Sequence, residues 1–402
     1  MKPFRVISLL LLMALLWGGA REKAAVNRLQ IEHEILVKRA IAIGLPERES
    51  DDTRELSRLT KRATMAGKIP AADLKNELVS AYRRLKSLEA ETDPEIRMKV
   101  EEEVREWIGR LIDLSPKELK QVVQDLLVDS ALVKEDRTTL LSVVLSLAAS
   151  RQSETAAELA LTHRDAIGSP SGIFESWGKS DPASAFAWLE KNRDALENQY
   201  SNSLAGVVAS SAGREPALAL AGLSKLVGPS HAEAANRLAR NLVDEEAREA
   251  LLTALRQSPI AQADAAEVLK GLGNGMASTS SGKLESWVGQ LSELESVNLA
   301  EGISQSDKAL DRPATWLEWM EDSLPSEKVL DTAKPLLTKW INDDYQAAGE
   351  WISRQPSGDF RNDAIANYSR MMSKRFPDSA RKWAETLPEG PEKRSLLEDL
   401  KK

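Results

Sequence analysis

The 402-residue chain has no cysteine, which excludes disulfides, thiol nucleophiles, thiolate metal sites and a lipidated N-terminal Cys. Histidine is nearly absent as well: His33, His163 and His231 stand far apart. A zinc-protease helix needs two histidines four residues apart. The residue four after His33 in Glu32-His33-Glu34 is Val37, so His33 reads as part of a charged helix face. β-Branched and aromatic runs are scarce while Ala and Leu dominate, which predicts almost no sheet. Basic excess is missing too. The first twenty residues hold Lys2 and Arg5 and no acids, and beyond them 52 basic residues face 62 acidic ones. Phosphate backbones need a basic face, so nucleic acid is not expected as the main partner. The local cluster Lys374, Arg375, Arg381, Lys382 is diluted by Asp378 and Glu385. Past residue 20 no run approaches about 18 uninterrupted apolar residues, so no membrane span is expected there.

The twelve-residue apolar stretch Val6–Trp17 follows Lys2 and Arg5 and precedes Gly18-Gly19-Ala20, the small residues of a cleavage site. This is the layout of a secretory signal peptide over residues 1–20. As a helix the stretch rises only about 18 Å, short of a ~30 Å hydrocarbon core. A short uncleaved anchor is the rival reading. The expected location is periplasmic or secreted, or inner-membrane anchored if the segment stays.

Residues 21–115 form a charged helical segment. Val26, Leu29, Ile31, Ile35, Leu36 and Ile41 mark a loose stripe ending at Gly44-Leu45-Pro46. Further helices are expected over 53–65 and from Pro70 to Leu88. Thr92-Asp93-Pro94-Glu95 and Ser115-Pro116 each offer an N-cap followed by proline at the first helical turn. Residues 116–149 are read as transition helices.

From about residue 150 a repeat takes over. Asp181–Trp188 reads DPASAFAW, Asp311–Trp319 DRPATWLEW, Asp344–Trp351 DYQAAGEW and Phe376–Trp383 FPDSARKW. Positions aligned six before the anchor are Pro182, Pro216, Ala247, Ser281, Pro313, Tyr345 and Pro377. The anchors are Trp188, Gly222, Thr253, Trp287, Trp319, Trp351 and Trp383. The second and third copies lack an aromatic, and Glu154–Ala160 is a further degenerate candidate. A period of about 32 residues marks a stacked helical array. Each unit parses as two helices. Pro suits the first helical position because its missing N–H has no partner there. Paired Ala positions let a neighbouring helix approach, and Trp supplies large apolar area. Trp177/Trp188 and Trp340/Trp351, each eleven apart across a turn, are expected on adjacent helices. The fold class predicted is all-α: a right-handed α-solenoid of helix pairs over 150–402, after an irregular helical N-terminal segment.

The run Trp383–Leu400 (WAETLPEGPEKRSLLEDL) and the D-P-x-x-A-x-x-W units resemble the roughly 30-residue Ala/Trp-rich helical repeats of envelope proteins in Verrucomicrobia and related bacteria. Those repeats are similar in layout to tetratricopeptide and HEAT-type arrays. The resemblance implies location and shape and carries no catalytic motif.

Three stretches invite chemistry. Gly271–Lys283 (GLGNGMASTSSGK) suggests a phosphate loop. However, Ala277 stands where the pattern needs Gly, Leu284 follows Lys283, and no strand precedes it. It reads instead as a flexible inter-helix loop whose Ser and Thr cap a helix at Lys283. Glu175-Ser176-Trp177 and Glu285-Ser286-Trp287 echo the Glu-Ser motif of peptidoglycan-cleaving transglycosylases. The motif falls twice within the repeat, with no separate lysozyme-like domain, so a buried Trp beside an exposed Glu is expected. No Gly-x-Ser-x-Gly elbow is present. No catalytic, cofactor-binding or metal residue is therefore assigned, and no cofactor is expected. The assigned residues are structural repeat anchors: Trp188, Trp287, Trp319, Trp351, Trp383, Pro182, Pro313 and Pro377. The functional expectation is a non-enzymatic scaffold that binds a protein partner on its concave face. The alternatives are an envelope hydrolase or glycan-active protein with an unrecognised site, and a structural spacer self-associating through its N-terminal helices.

Overall fold

The computed structural model describes residues 71–87, 96, 99–100, 108–226, 230–278 and 286–400. The expected signal segment, the helices expected over 26–41 and 53–65, the cap at Thr92–Glu95 and the Glu32-His33-Glu34 triplet lie outside these residues. Among the described residues all regular structure is helical and there is no strand. The contacts divide the chain between Gly168 and Ser169, whereas the repeat was expected to begin near 150.

In the first unit α1 (Ala71–Ser87) packs on α2 (Pro116–Val128), and α2 on α3 (Lys134–Ala148). α3 also carries α4 (Ser153–Thr162) and the single turn α5 (Arg164–Ile167). Ser115 and Glu118 form a reciprocal capping box ahead of Pro116, which satisfies two N–H groups that the first helical turn leaves open. Leu119, Val122, Val123 and Leu126 on α2, with Leu140, Leu141, Val144 and Leu145 on α3, build the core.

The second unit runs α6 (Ser171–Ser180), α7 (Pro182–Lys191), α8 (Arg193–Leu196), α9 (Tyr200–Ser211), α10 (Pro216–Leu223), α11 (Ser230–Arg240), α12 (Glu245–Gln257) and α13 (Gln262–Ala277). It continues with α14 (Glu293–Gln305), α15 (Pro313–Ser323), α16 (Ser326–Asp343), α17 (Tyr345–Arg354), α18 (Asp359–Met372), α19 (Pro377–Glu385) and α20 (Pro391–Asp399). One row of helices packs in chain order: α6 on α9, α9 on α11, α11 on α13, α13 on α14, α14 on α16 and α16 on α18. The shorter partners α7, α10, α15, α17 and α19 lean on this row.

The same junction opens five of those partners. The N-cap residues Asp181, Glu215, Arg312, Asp344 and Phe376 all have φ between −137° and −150° and ψ between 59° and 84°. Pro182, Pro216, Pro313, Tyr345 and Pro377 are the first residues of their helices. At two junctions an acid completes the cap. Asp181 accepts from the Ser184 amide at 3.1 Å, and Asp344 from those of Gln346 and Ala347 at 3.1 and 3.0 Å.

The register of the third copy differs from the sequence alignment. α12 starts at Glu245, two residues before Ala247, so the position six later is Leu251, which is fully buried, while Thr253 is exposed. In the second copy Gly222 is buried against the Phe186 ring, and a Cβ there would come within 2.5 Å of it. Phe186 of α7, the previous short partner, fills the space at Gly222 where other copies carry Trp.

A further copy of the local pattern ends the first unit. Arg164-Asp165-Ala166-Ile167 precedes Gly168 at φ 75°, and Arg193-Asp194-Ala195-Leu196 precedes Glu197 at φ 48°. Each follows a ten-residue helix, α4 or α7, and each reverses the chain with ψ near −121°. Gly adopts this backbone freely; Glu does not.

Candidate functional site

The anchor tryptophans lie among packed side chains. Trp188, Trp287, Trp319 and Trp351 are buried, and Trp383 is half-buried. Trp188 meets Trp177 with ring centroids 5.9 Å apart and Phe174 at 5.5 Å. Trp351 meets Trp340 at 5.6 Å and Phe360 at 6.1 Å. Trp383 packs at 4.9 Å on Tyr368, whose hydroxyl donates to the Tyr345 carbonyl. Trp351 donates its indole N–H to Glu318 at 3.2 Å. Pro182 is buried, Pro313 is half-buried and Pro377 is exposed, each at a helix start where no N–H is required.

The glycine-rich stretch is not a loop up to residue 277. Gly271, Gly273 and Gly275 lie inside α13, with their amides in the helix. Residues 279–285 lie outside the described residues. The glycines exist because α13 is pressed between two neighbours. A Cβ on Gly271 would overlap the Asn236 carbonyl, and one on Gly275 would sit 2.8 Å from the Arg240 carbonyl, both in α11. On the other side Gly273 abuts the Leu299 carbonyl, and Gly302 of α14 abuts that of Lys270. Periodicity cannot reveal this use of glycine, since a glycine run read locally signals a loop.

Glu175 is no isolated acid. Its carboxylate lies 3.1 Å from Arg237 Nη2 and 3.6 Å from Lys179 Nζ, so it is half-buried and doubly paired. Glu285 lies outside the described residues. Ser286 donates its amide and hydroxyl to Glu245 at 2.7 and 2.8 Å. Such contacts position side chains; they leave no apolar pocket to hold an acid protonated.

These pairs belong to a wider set on the row of longer helices and on α12, which packs on α10. His231 of α11 faces Asp264 of α13 at 3.4 Å. Lys270 of α13 lies 3.0 Å from Glu267 and 3.1 Å from Glu301 of α14. Burial works against the Lys270 charge, but its bonds to these two carboxylates outweigh it and push its pKa up. Arg256 of α12 binds both oxygens of Glu295 at 2.8 Å and, aided by the Ser292 amide against the cost of burial, holds that carboxyl down at about 2. Asn367 of α18 donates to the Thr338 hydroxyl of α16 at 3.1 Å. Apart from the local contacts Glu175–Lys179, Glu267–Lys270 and Ser292–Glu295, these partners lie 29 to 62 residues apart and have no local signal in the sequence.

Among the described residues no three His, Asp or Glu side chains are grouped to hold a metal ion, and no helix is long and apolar enough to cross a membrane. No known protein family, characterised protein or solved structure matches the chain.

Proposed function

We propose that the chain is a right-handed α-solenoid scaffold, exported and non-enzymatic, that binds a protein partner on the concave face formed by its longer helices. The observation that carries this reading is the unbroken packing order α6, α9, α11, α13, α14, α16, α18. A row of like helices each packed on the next is the arrangement by which repeat proteins create extended binding surfaces. The recurring N-cap geometry and the buried tryptophans support the repeat as its structural basis. Half-buried ion pairs and amide contacts along the row leave a polar, shaped face rather than an apolar one. Such a surface suits a partner recognised by hydrogen bonds and charge. Export rests on the Lys2/Arg5 and Val6–Trp17 layout.

Cross-linking the full chain in envelope extracts, followed by mapping the linked peptides, tests the reading. Partner links should concentrate on α9, α11, α13, α14, α16 and α18, and charge reversal at Arg237 or Lys270 should reduce them. Links confined to the shorter helices, or insensitive to both reversals, would overturn it.

A further inference from the structure

Glycine is spread unevenly along the row of longer helices. Between α6 and α9, between α11 and α13, and between α13 and α14 it lets backbones meet: Gly206 abuts the Ser171 carbonyl, Gly271 that of Asn236 and Gly302 that of Lys270. Backbone against backbone leaves no side chain to rearrange, so helices joined this way move as one body. α16 and α18 contain no glycine. α16 holds instead the one proline that lies inside a helix among the described residues, Pro335, at the tenth of its 18 positions.

Proline has no N–H, so the Asp331 carbonyl loses its helical partner, and the ring presses on that same carbonyl. Asp331, Lys334 and Pro335 are exposed, whereas Thr332, Ala333, Leu336 and Leu337 are buried. The break therefore opens on the solvent side, where water can meet the carbonyl, and the core side keeps its packing. The contacts of α16 sort to either side of it. Before the break the Thr332 carbonyl accepts from the buried Ser304 hydroxyl of α14 at 2.6 Å. After it Trp340 meets Trp351 of α17 at 5.6 Å, and Thr338 accepts from Asn367 of α18. Two side chains span the joint. Lys339 Nζ donates to the last carbonyl of α14, that of Gln305, at 2.7 Å and to Asp307 at 2.8 Å, and Trp351 donates to Glu318 of α15 at 3.2 Å. The lysine reaches across on a flexible four-carbon stem, which yields where a backbone contact does not.

We propose that Pro335 makes α16 a hinge, about which α17–α20 swing as a block against α6–α15, with Lys339 as the strap that limits the swing. The motion widens or narrows the exposed face between α14 and α18.

Distances between paired spin labels on the full chain test it. The chain has no cysteine, so labels attach only where one is introduced. Leu294→Cys on α14 with Arg370→Cys on α18 spans the hinge, and Asn202→Cys on α9 with Leu294→Cys stays within the glycine-packed block; all three positions are exposed. The distance distribution across the hinge should be the broader of the two. Pro335→Ala, which restores the helical N–H, should narrow it, and Lys339→Met should widen it, while the pair within the block stays the same in both. In Pro335→Ala the amides of Leu336, Leu337 and Thr338 should also exchange with solvent about tenfold more slowly. Thermal melts of the variants check folding. Equal widths for the two pairs in the otherwise unsubstituted chain, no narrowing in Pro335→Ala, or no widening in Lys339→Met overturns the proposal.

Discussion

Arg237 and Glu175 meet at 3.1 Å across 62 residues of sequence, although the helices that carry them, α11 and α6, are separated by α9, which packs on both. The reach is possible because α9 presents Gly206 at that level. A Cβ there would stand 2.8 Å from the Ser171 carbonyl of α6. The bridge therefore joins the first and third of three successive helices of the row. Its side chains are 29% and 17% exposed, which places it between a surface pair and a buried one. A double-mutant cycle on Arg237→Ala and Glu175→Ala should give a coupling of about 1 kcal/mol. A coupling within ~0.3 kcal/mol of zero would class the pair with exposed salt bridges that add nothing measurable.

Alanine at Gly273 or Gly302 should destabilise the fold by about 1–3 kcal/mol, because the added methyl overlaps a carbonyl of the facing helix. Gly109 is the control: it is helical and exposed, and nothing lies within 4 Å of the methyl it lacks. There the ordinary helix preference should stabilise by ~0.5–1 kcal/mol. Urea unfolding of the three variants reads the sign directly, and a gain at Gly302 would contradict the close approach of α13 and α14.

Glu197→Gly should stabilise by about 1 kcal/mol, since φ 48° is costly for a residue with a Cβ and its side chain is exposed. Gly168→Ala, at φ 75° in the matching turn, should lose a similar amount. Opposite shifts in denaturation midpoint are the expected result. Shifts of the same sign would show that the two turns do not share a conformation.

The revised register makes Leu251 the load in the third copy. Leu251→Ala should cost about 2–5 kcal/mol, and Thr253→Ala should stay within ~0.5 kcal/mol. Trp351→Ala should cost about 3–5 kcal/mol, given its 6% exposure and its rings and hydrogen bond on three sides. Chemical denaturation of the three variants would expose a reversed order at Leu251 and Thr253, and with it a wrong register.

Glu295 supplies a pH signature. Its folded pKa of about 2 lies below the ordinary carboxyl value of 4.5, so its contribution to stability is full above pH 4.5 and is lost as pH falls toward 2. Arg256 is 40% exposed, and solvent screening brings the contribution down to roughly 1–2 kcal/mol. Arg256→Gln should flatten the stability-versus-pH curve in that window and leave it unchanged in shape above it. An equal acid slope in wild type and variant would remove Glu295 from the account.

Local rules made much of the fold legible. Proline at a first helical position, with Asp181 or Asp344 before the helix, announces a start wherever the chain folds, and the structure opens helices at 182, 216, 313, 345 and 377. The eleven-residue spacing of Trp177 and Trp188 across one turn places them on adjacent helices, and in the structure the rings meet. The third copy has neither proline nor aromatic, so nothing local fixes its register, and the helix start at Glu245 puts Leu251 rather than Thr253 at the anchor position. Gly271, Gly273 and Gly275 read as a loop because nothing local distinguishes a flexible glycine from one pressed against a neighbour.

Composition, periodicity and caps thus determined by themselves that the described residues are helical and where most of the paired helices begin, since both follow from interactions within a few residues. Tertiary structure alone decided which helices touch, why α13 needs glycine and which charges pair across the row. Those outcomes depend on side chains tens of residues apart, and only packing brings them within reach of one another.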